Sequence, residues 1–280
     1  MIHKLRKIAD FFPCDIDKCP YLDDIIGMHS TIARFLLCGY WANIVYIIGM
    51  IGYLIIDTIS YMHISFNSTI SSIIYMILAI VFVIDAILYT MDWYMYAVKL
   101  RKYQDQPIHY RSEFVACIFQ NLGSIFYLIG AILAFEKIQV VEKKFLFNLF
   151  GIISLLLESI LTLLGWIIVF RRRSSKTSKN SCNFQNVYIW AHALNIIGNL
   201  IYLCATILAY YFYRTEKIIN SSHVLLLQIC GDFVYLFDAY IYHECWEQDK
   251  QELYTITENQ SLNKFYLEKT DHQNKSNENR

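Results

Sequence analysis

Asp85, Glu158 and Asp238 each stand inside a long apolar run, each is followed by a small residue, and each has a tryptophan eight positions on, at Trp93, Trp166 and Trp246. A carboxylate at the centre of a bilayer costs at least about 2.5–3.5 kcal/mol, so three in equivalent positions call for a reason. One reason is structural. Each acid, in its neutral form, bonds an Asn, Ser or Tyr of a neighbouring helix and fixes the packing register, for about 0.6–2 kcal/mol a bond. The other is transport: three acids around an axis form a ring that selects cations or passes protons, and Asp232, His192 and His243 extend it as a relay. The structural reading comes first, because seams of small and polar residues are the ordinary glue of membrane bundles. A cation or proton pathway is the alternative.

The acids belong to a larger self-similarity. Asn148 and Gln228 stand ten residues before Glu158 and Asp238, and Gly151 and Gly231 seven before. The runs that alternate with these align too. Ala42-Asn43-Ile44-Val45-Tyr46, Gly123-Ser124-Ile125-Phe126-Tyr127 and Gly198-Asn199-Leu200-Ile201-Tyr202 share a small residue, a polar one, two apolar ones and a tyrosine. Three pairs in the right alternating order predict three copies of one two-helix hairpin. Eight residues at 1.5 Å each put every acid about 12 Å below its tryptophan. Asn43, Ser124 and Asn199 reach a similar depth, so a polar layer of six groups is expected at one height.

Composition supplies the elements that hold this layer. Of 280 residues 56% are apolar and only 17% charged, against about a quarter charged in ordinary soluble domains. Six runs, 31–56, 70–96, 113–135, 145–170, 188–213 and 222–246, are long and apolar enough to cross a bilayer. The expected fold is an all-α polytopic bundle with repeats over 31–96, 113–170 and 188–246. A segment 1–30 precedes it, and a polar tail, 247–280, follows and is expected to be disordered. All three prolines lie outside the runs, which predicts unbroken helices. Asn148, Gly151, Leu155, Glu158, Thr162 and Gly165 recur at three- and four-residue steps, as do Gln228, Gly231, Tyr235, Asp238, Tyr242 and Cys245. Those stripes should face other helices, with the acids turned away from lipid.

Basic residues set the expected orientation. They gather in 1–30, around 99–111 and in 171–179, and thin out in the intervening loops. By the positive-inside rule both termini are cytosolic. Asn67 and Asn220 head glycosylation triplets in the loops assigned outside. No secretory signal is read before the first run. Residues 1–12 suggest an interfacial amphipathic helix, and acids soon after it disfavour a mitochondrial address. An endomembrane or the plasma membrane is expected, with the lipid bilayer as the one partner read from the sequence.

Other chemistries find little support. HExxH, Walker and Gly-rich phosphate loops are absent, and no Ser–His or paired-aspartate set is recognisable, so no enzyme is expected. Cys14 and Cys19, with Cys182, His243 or Cys245, match no zinc spacing, and neither metal nor cofactor is predicted. Net charge is zero and no basic patch suggests nucleic acid. The segment Leu122–Gly130, with its Gly-Ser pair and aromatics, resembles the helices of YrhK-like membrane domains over about nine residues. Asn43 and Asn199 replace the serine in the other two copies. The resemblance implies a small bundle of hairpins and nothing about activity.

Overall fold

The computed structural model describes residues 20–62, 68–94, 110–135, 141–176, 187–215 and 221–278. They form six helices: α1 (Pro20–Tyr61), α2 (Ser68–Tyr94), α3 (Tyr110–Leu133), α4 (Val141–Lys176), α5 (Val187–Arg214) and α6 (Ser221–Glu278). Each contains a stretch of 22 to 28 residues long and apolar enough to cross a membrane, from Cys38–Tyr61 in α1 to Ser222–Gln248 in α6. Among the described residues there is no strand. In hydrocarbon every backbone N–H and C=O needs a partner within the chain, and a proline-free helix supplies them all. Hydroxyls inside the spans follow the same rule. Ser60, Thr90, Ser154, Ser159 and Thr162 each donate to the carbonyl four residues back, at 2.8 or 2.9 Å.

Each helix packs extensively on its neighbours in chain order, and α6 returns to pack on α1. The six helices therefore close into a ring. Contact is most extensive within the hairpins α3–α4 and α5–α6. Buried positions recur every seven residues. Gly123-Ser124 follows Ala116-Cys117, Glu158-Ser159 follows Gly151-Ile152, Gly198-Asn199 follows Ala191-His192, and Asp238-Ala239 follows Gly231-Asp232. Seven is the repeat of a left-handed helix seam. Large apolar side chains such as Ile84, Phe150, Ile197 and Phe237 point outward and are exposed. An exterior this apolar suits lipid, not water, and the chain is a multi-pass helical membrane protein.

Glycines set the closest approaches. A Cβ at Gly123 would lie 3.2 Å from the Gly151 carbonyl oxygen, and one at Gly151 3.3 Å from the Gly123 carbonyl. No side chain separates α3 from α4 there.

Helix lengths differ most from the sequence expectation at three ends. The first helix begins at Pro20 rather than near 31, with proline at a first-turn position where its missing N–H is harmless. The basic run after Trp166 stays helical to Lys176. Where a disordered tail is expected over 247–280, α6 runs on through Glu278. Polarity argues for disorder, but Gly231 is the last glycine and no proline follows it, so nothing local breaks the helix. Asn67, Asn220, Cys14, Cys19, Cys182 and residues 1–19 lie outside the described residues.

Candidate functional site

A cavity of about 160 Å³ sits at the centre of the ring, lined from all six helices. That is room for a few water molecules or a small partly hydrated ion. Asp85 of α2, Glu158 of α4 and Asp238 of α6 all stand on its wall. So do Asn43 and Asn199, whereas Ser124 does not. Seven tyrosines join them: Tyr46 and Tyr53 from α1, Tyr89 from α2, Tyr127 from α3, Tyr202 from α5, and Tyr235 and Tyr242 from α6. None of the lining residues is basic.

The three acids are equally enclosed but unequally held. Glu158 is 4% exposed. Its Oε1 lies 2.9 Å from the Thr162 hydroxyl and its Oε2 3.2 Å from that of Ser159, both on its own helix and each sharing its one proton with the carbonyl four residues back, and Asn195 of α5 also bonds it. Asp238 is fully buried; its Oδ2 accepts from the Tyr46 hydroxyl of α1 at 3.3 Å, and its Oδ1 has no hydrogen-bond partner among the described residues. Asp85, only 6% exposed, has no hydrogen-bond partner at all among them. Glu158 lies close enough to both aspartates for the charges to interact. The sequence offered one role for all three acids. The geometry gives them three different environments.

The polar groups of the alternate helices also divide. Asn199 is a hub: its amide donates to Ser159 Oγ of α4 at 2.8 Å and to Asn195 on its own helix, while its Oδ1 accepts from Tyr235 of α6 at 2.7 Å. It ties α4, α5 and α6 at one level. Asn43 instead donates back to the Gly39 carbonyl at 2.9 Å, and Ser124 to the Asn121 carbonyl at 3.0 Å. Neither reaches a neighbouring helix through these bonds. The α2–α3 seam is joined elsewhere, by Asn121 to Thr90 Oγ1 at 2.7 Å and Trp93 to Glu113 at 3.3 Å.

The relay read from the sequence is not assembled. His192 is buried beside the rings of Trp166 and Tyr242, at 6.1 and 6.3 Å, and His243 stacks on Trp246 at 5.6 Å. Asp232 lies eleven residues before His243 on the same helix, about 16 Å away by the helical rise. Asp232 has other company. Its carboxyl lies within hydrogen-bonding reach of the Asp57 carboxyl of α1. Sequence reading passed over Asp57 because the first run was closed at residue 56, one position short. Four residues further on, α1 is still helical and Asp57 is 2% exposed. An acid so near an apolar run was the available signal.

Metal chemistry has no ready ligand set, since among the described residues no three His, Cys, Asp or Glu side chains are grouped to hold an ion. Of the free cysteines within the spans, Cys204 and Cys230 are exposed, whereas Cys117 and Cys245 are buried. No family model, no curated protein and no solved structure matches the chain.

Proposed function

We propose that this membrane protein binds a cation in its central cavity and conducts it across the bilayer. The observation that carries the reading is Asp85: a residue only 6% exposed, on the cavity wall, bonded to no side chain among the described residues, whose carboxyl oxygens are not sealed off as Asp238 Oδ1 is. A carboxyl kept for packing would be held as Glu158 is, because an unmet buried acid is costly and adds nothing to the seam. The free Oδ1 of Asp238 supports the same reading. Tyrosines suit it too, since their hydroxyl oxygens can ligate a cation and their ring faces attract one. The structural reading keeps its footholds in Glu158, whose bonds run mainly to its own helix, in the Tyr46–Asp238 bond from α1 to α6, and in the Asn199 hub.

The remaining expectations fit beside this reading. The three hairpins are read as copies of one unit, each bringing an acid and a tyrosine to the wall. Binding and passage, rather than the making of bonds, are the activity proposed. The distribution of basic residues supports cytosolic termini in an endomembrane or the plasma membrane. Glycosidase treatment should then shift the gel mobility of the wild type, and Asn67→Gln combined with Asn220→Gln should abolish that shift.

Flux tests the proposal. Purified protein in liposomes carrying an internal pH dye, under an imposed potential, should pass protons or rubidium. Asp85→Asn should reduce that flux at least tenfold with the melting temperature in detergent unchanged. Wild-type vesicles no leakier than empty ones, or a flux untouched by Asp85→Asn, would refute it.

A further inference from the structure

The cavity is not the only acidic site inside the ring. Asp232 sits six residues before Asp238 on α6, about 9 Å along the helix toward its start. It meets Asp57 of α1 across the seam where the ring closes. Both are buried, at 2% and 0% exposure. Each is anchored by a tyrosine from the partner helix of its own hairpin: Tyr75 of α2 donates to Asp57 Oδ1, and Tyr202 of α5 to Asp232 Oδ1. The Oδ2 of Asp232 receives no donor among the described residues.

Two carboxyl groups in contact have only acceptors to offer each other unless a proton lies between them. Enclosed side by side and away from water, both cannot be charged. Among the described residues, the titratable groups around them are all tyrosines: Tyr53 beside them on α1, Tyr75 on α2, Tyr202 on α5, Tyr235 on α6, and Tyr127 on α3 behind Tyr53 and Tyr202. None of these supplies a positive charge. We infer that Asp57 and Asp232 share a single proton, and that this proton clasps α1 to α6 where the ring closes. Loss of the proton leaves two like charges in contact and pushes the seam apart. Tyr202 belongs to both sites, donating to Asp232 and lining the cavity, so the clasp adjoins the cavity wall.

The inference does not depend on the cavity conducting anything, and its tests are separate. The infrared carbonyl stretch of protonated carboxyl groups counts the protons. The Asp57→Asn/Asp232→Asn double variant should lose one carboxyl's worth of that band relative to wild type. A loss of two, or of none, overturns the shared proton. Should the double variant not fold, melting against pH decides with milder changes. Wild type and Asp85→Asn should both melt at lower temperature as pH is raised, and Asp57→Asn, whose amide donates to the remaining carboxylate, should decline less steeply, with only the acids of the cavity left to lose protons. A wild-type melting temperature flat with pH, or the same decline in Asp57→Asn, overturns the clasp.

Discussion

At the scale of single residues, the three acids separate by what holds them, and the difference is measurable. No side chain among the described residues bonds Asp85 on the cavity wall, so Asp85→Asn removes a carboxyl that holds no neighbouring helix. Its effect on stability should stay within about 0.5 kcal/mol. Asn199→Ala should behave oppositely. It strips the acceptor from the Tyr235 hydroxyl and one donor from Ser159, which keeps its own bonds on α4. A loss of about 1–2 kcal/mol follows, read by denaturation in detergent. If the two variants change places in that order, the assignment of one acid to function and the hub to structure is wrong. The sequence made the burial of Asp85, Glu158 and Asp238 legible, because an acid that far from water and eight residues from an interfacial tryptophan has little choice but to turn inward. Their partners were not legible. Thr162 and Ser159 serve Glu158 from its own helix, and only a rotamer decides whether a hydroxyl bonds along its helix or across to the next. Asp57 escaped for a simpler reason: hydropathy falls gradually at a span end, and a boundary drawn there discards the residue beside it.

Elements explain which glycines the ring needs. Gly231 of α6 faces the Tyr202 ring, and an added Cβ would stand 2.6 Å from it. Tyr202 cannot retreat freely, since its hydroxyl holds Asp232 and its ring packs, tilted at 45°, 5.6 Å from that of Tyr235. Gly231→Ala should therefore cost about 1–3 kcal/mol, as overpacking does, and loosen the α5–α6 hairpin. Gly49 is the control. A Cβ there meets Val81 at 3.4 Å, an ordinary contact, so Gly49→Ala should be nearly neutral and gain slightly from helix propensity. Paired melting curves check both, and equal losses would mean that the glycines serve flexibility rather than fit. Six apolar runs and unbroken helices were readable in advance, because bilayer thickness fixes length and the absence of proline fixes continuity. Helix ends were not. Pro20 starts a helix in a polar segment, and α6 persists to Glu278, because hydropathy says where lipid ends and not where hydrogen bonding ends.

For the whole molecule the decisive feature is the closure of α6 onto α1, with no helix inside the ring among the described residues. A ring of six helices cannot bring every side chain to the axis, and the gap is filled here by tyrosines that leave a cavity among the acids. Connectivity alone predicts neighbours in chain order, but whether the last helix meets the first depends on packing angles that no hydropathy pattern contains. The closed form has a chemical consequence. Phe82 lines the cavity, while Ile84, two residues along α2, is 45% exposed on the outer surface. In a chain with its eight cysteines replaced, Phe82→Cys should react with a positively charged thiosulfonate reagent and slow when rubidium is added. Ile84→Cys should stay inert to the same reagent, since a thiolate does not form in hydrocarbon. Equal reactivity would place lipid and cavity on the wrong faces of α2. A folded Phe82→Cys as inert as Ile84→Cys would mean that the cavity has no aqueous entry, and a sealed cavity lined with acids supports a framework, not a pathway.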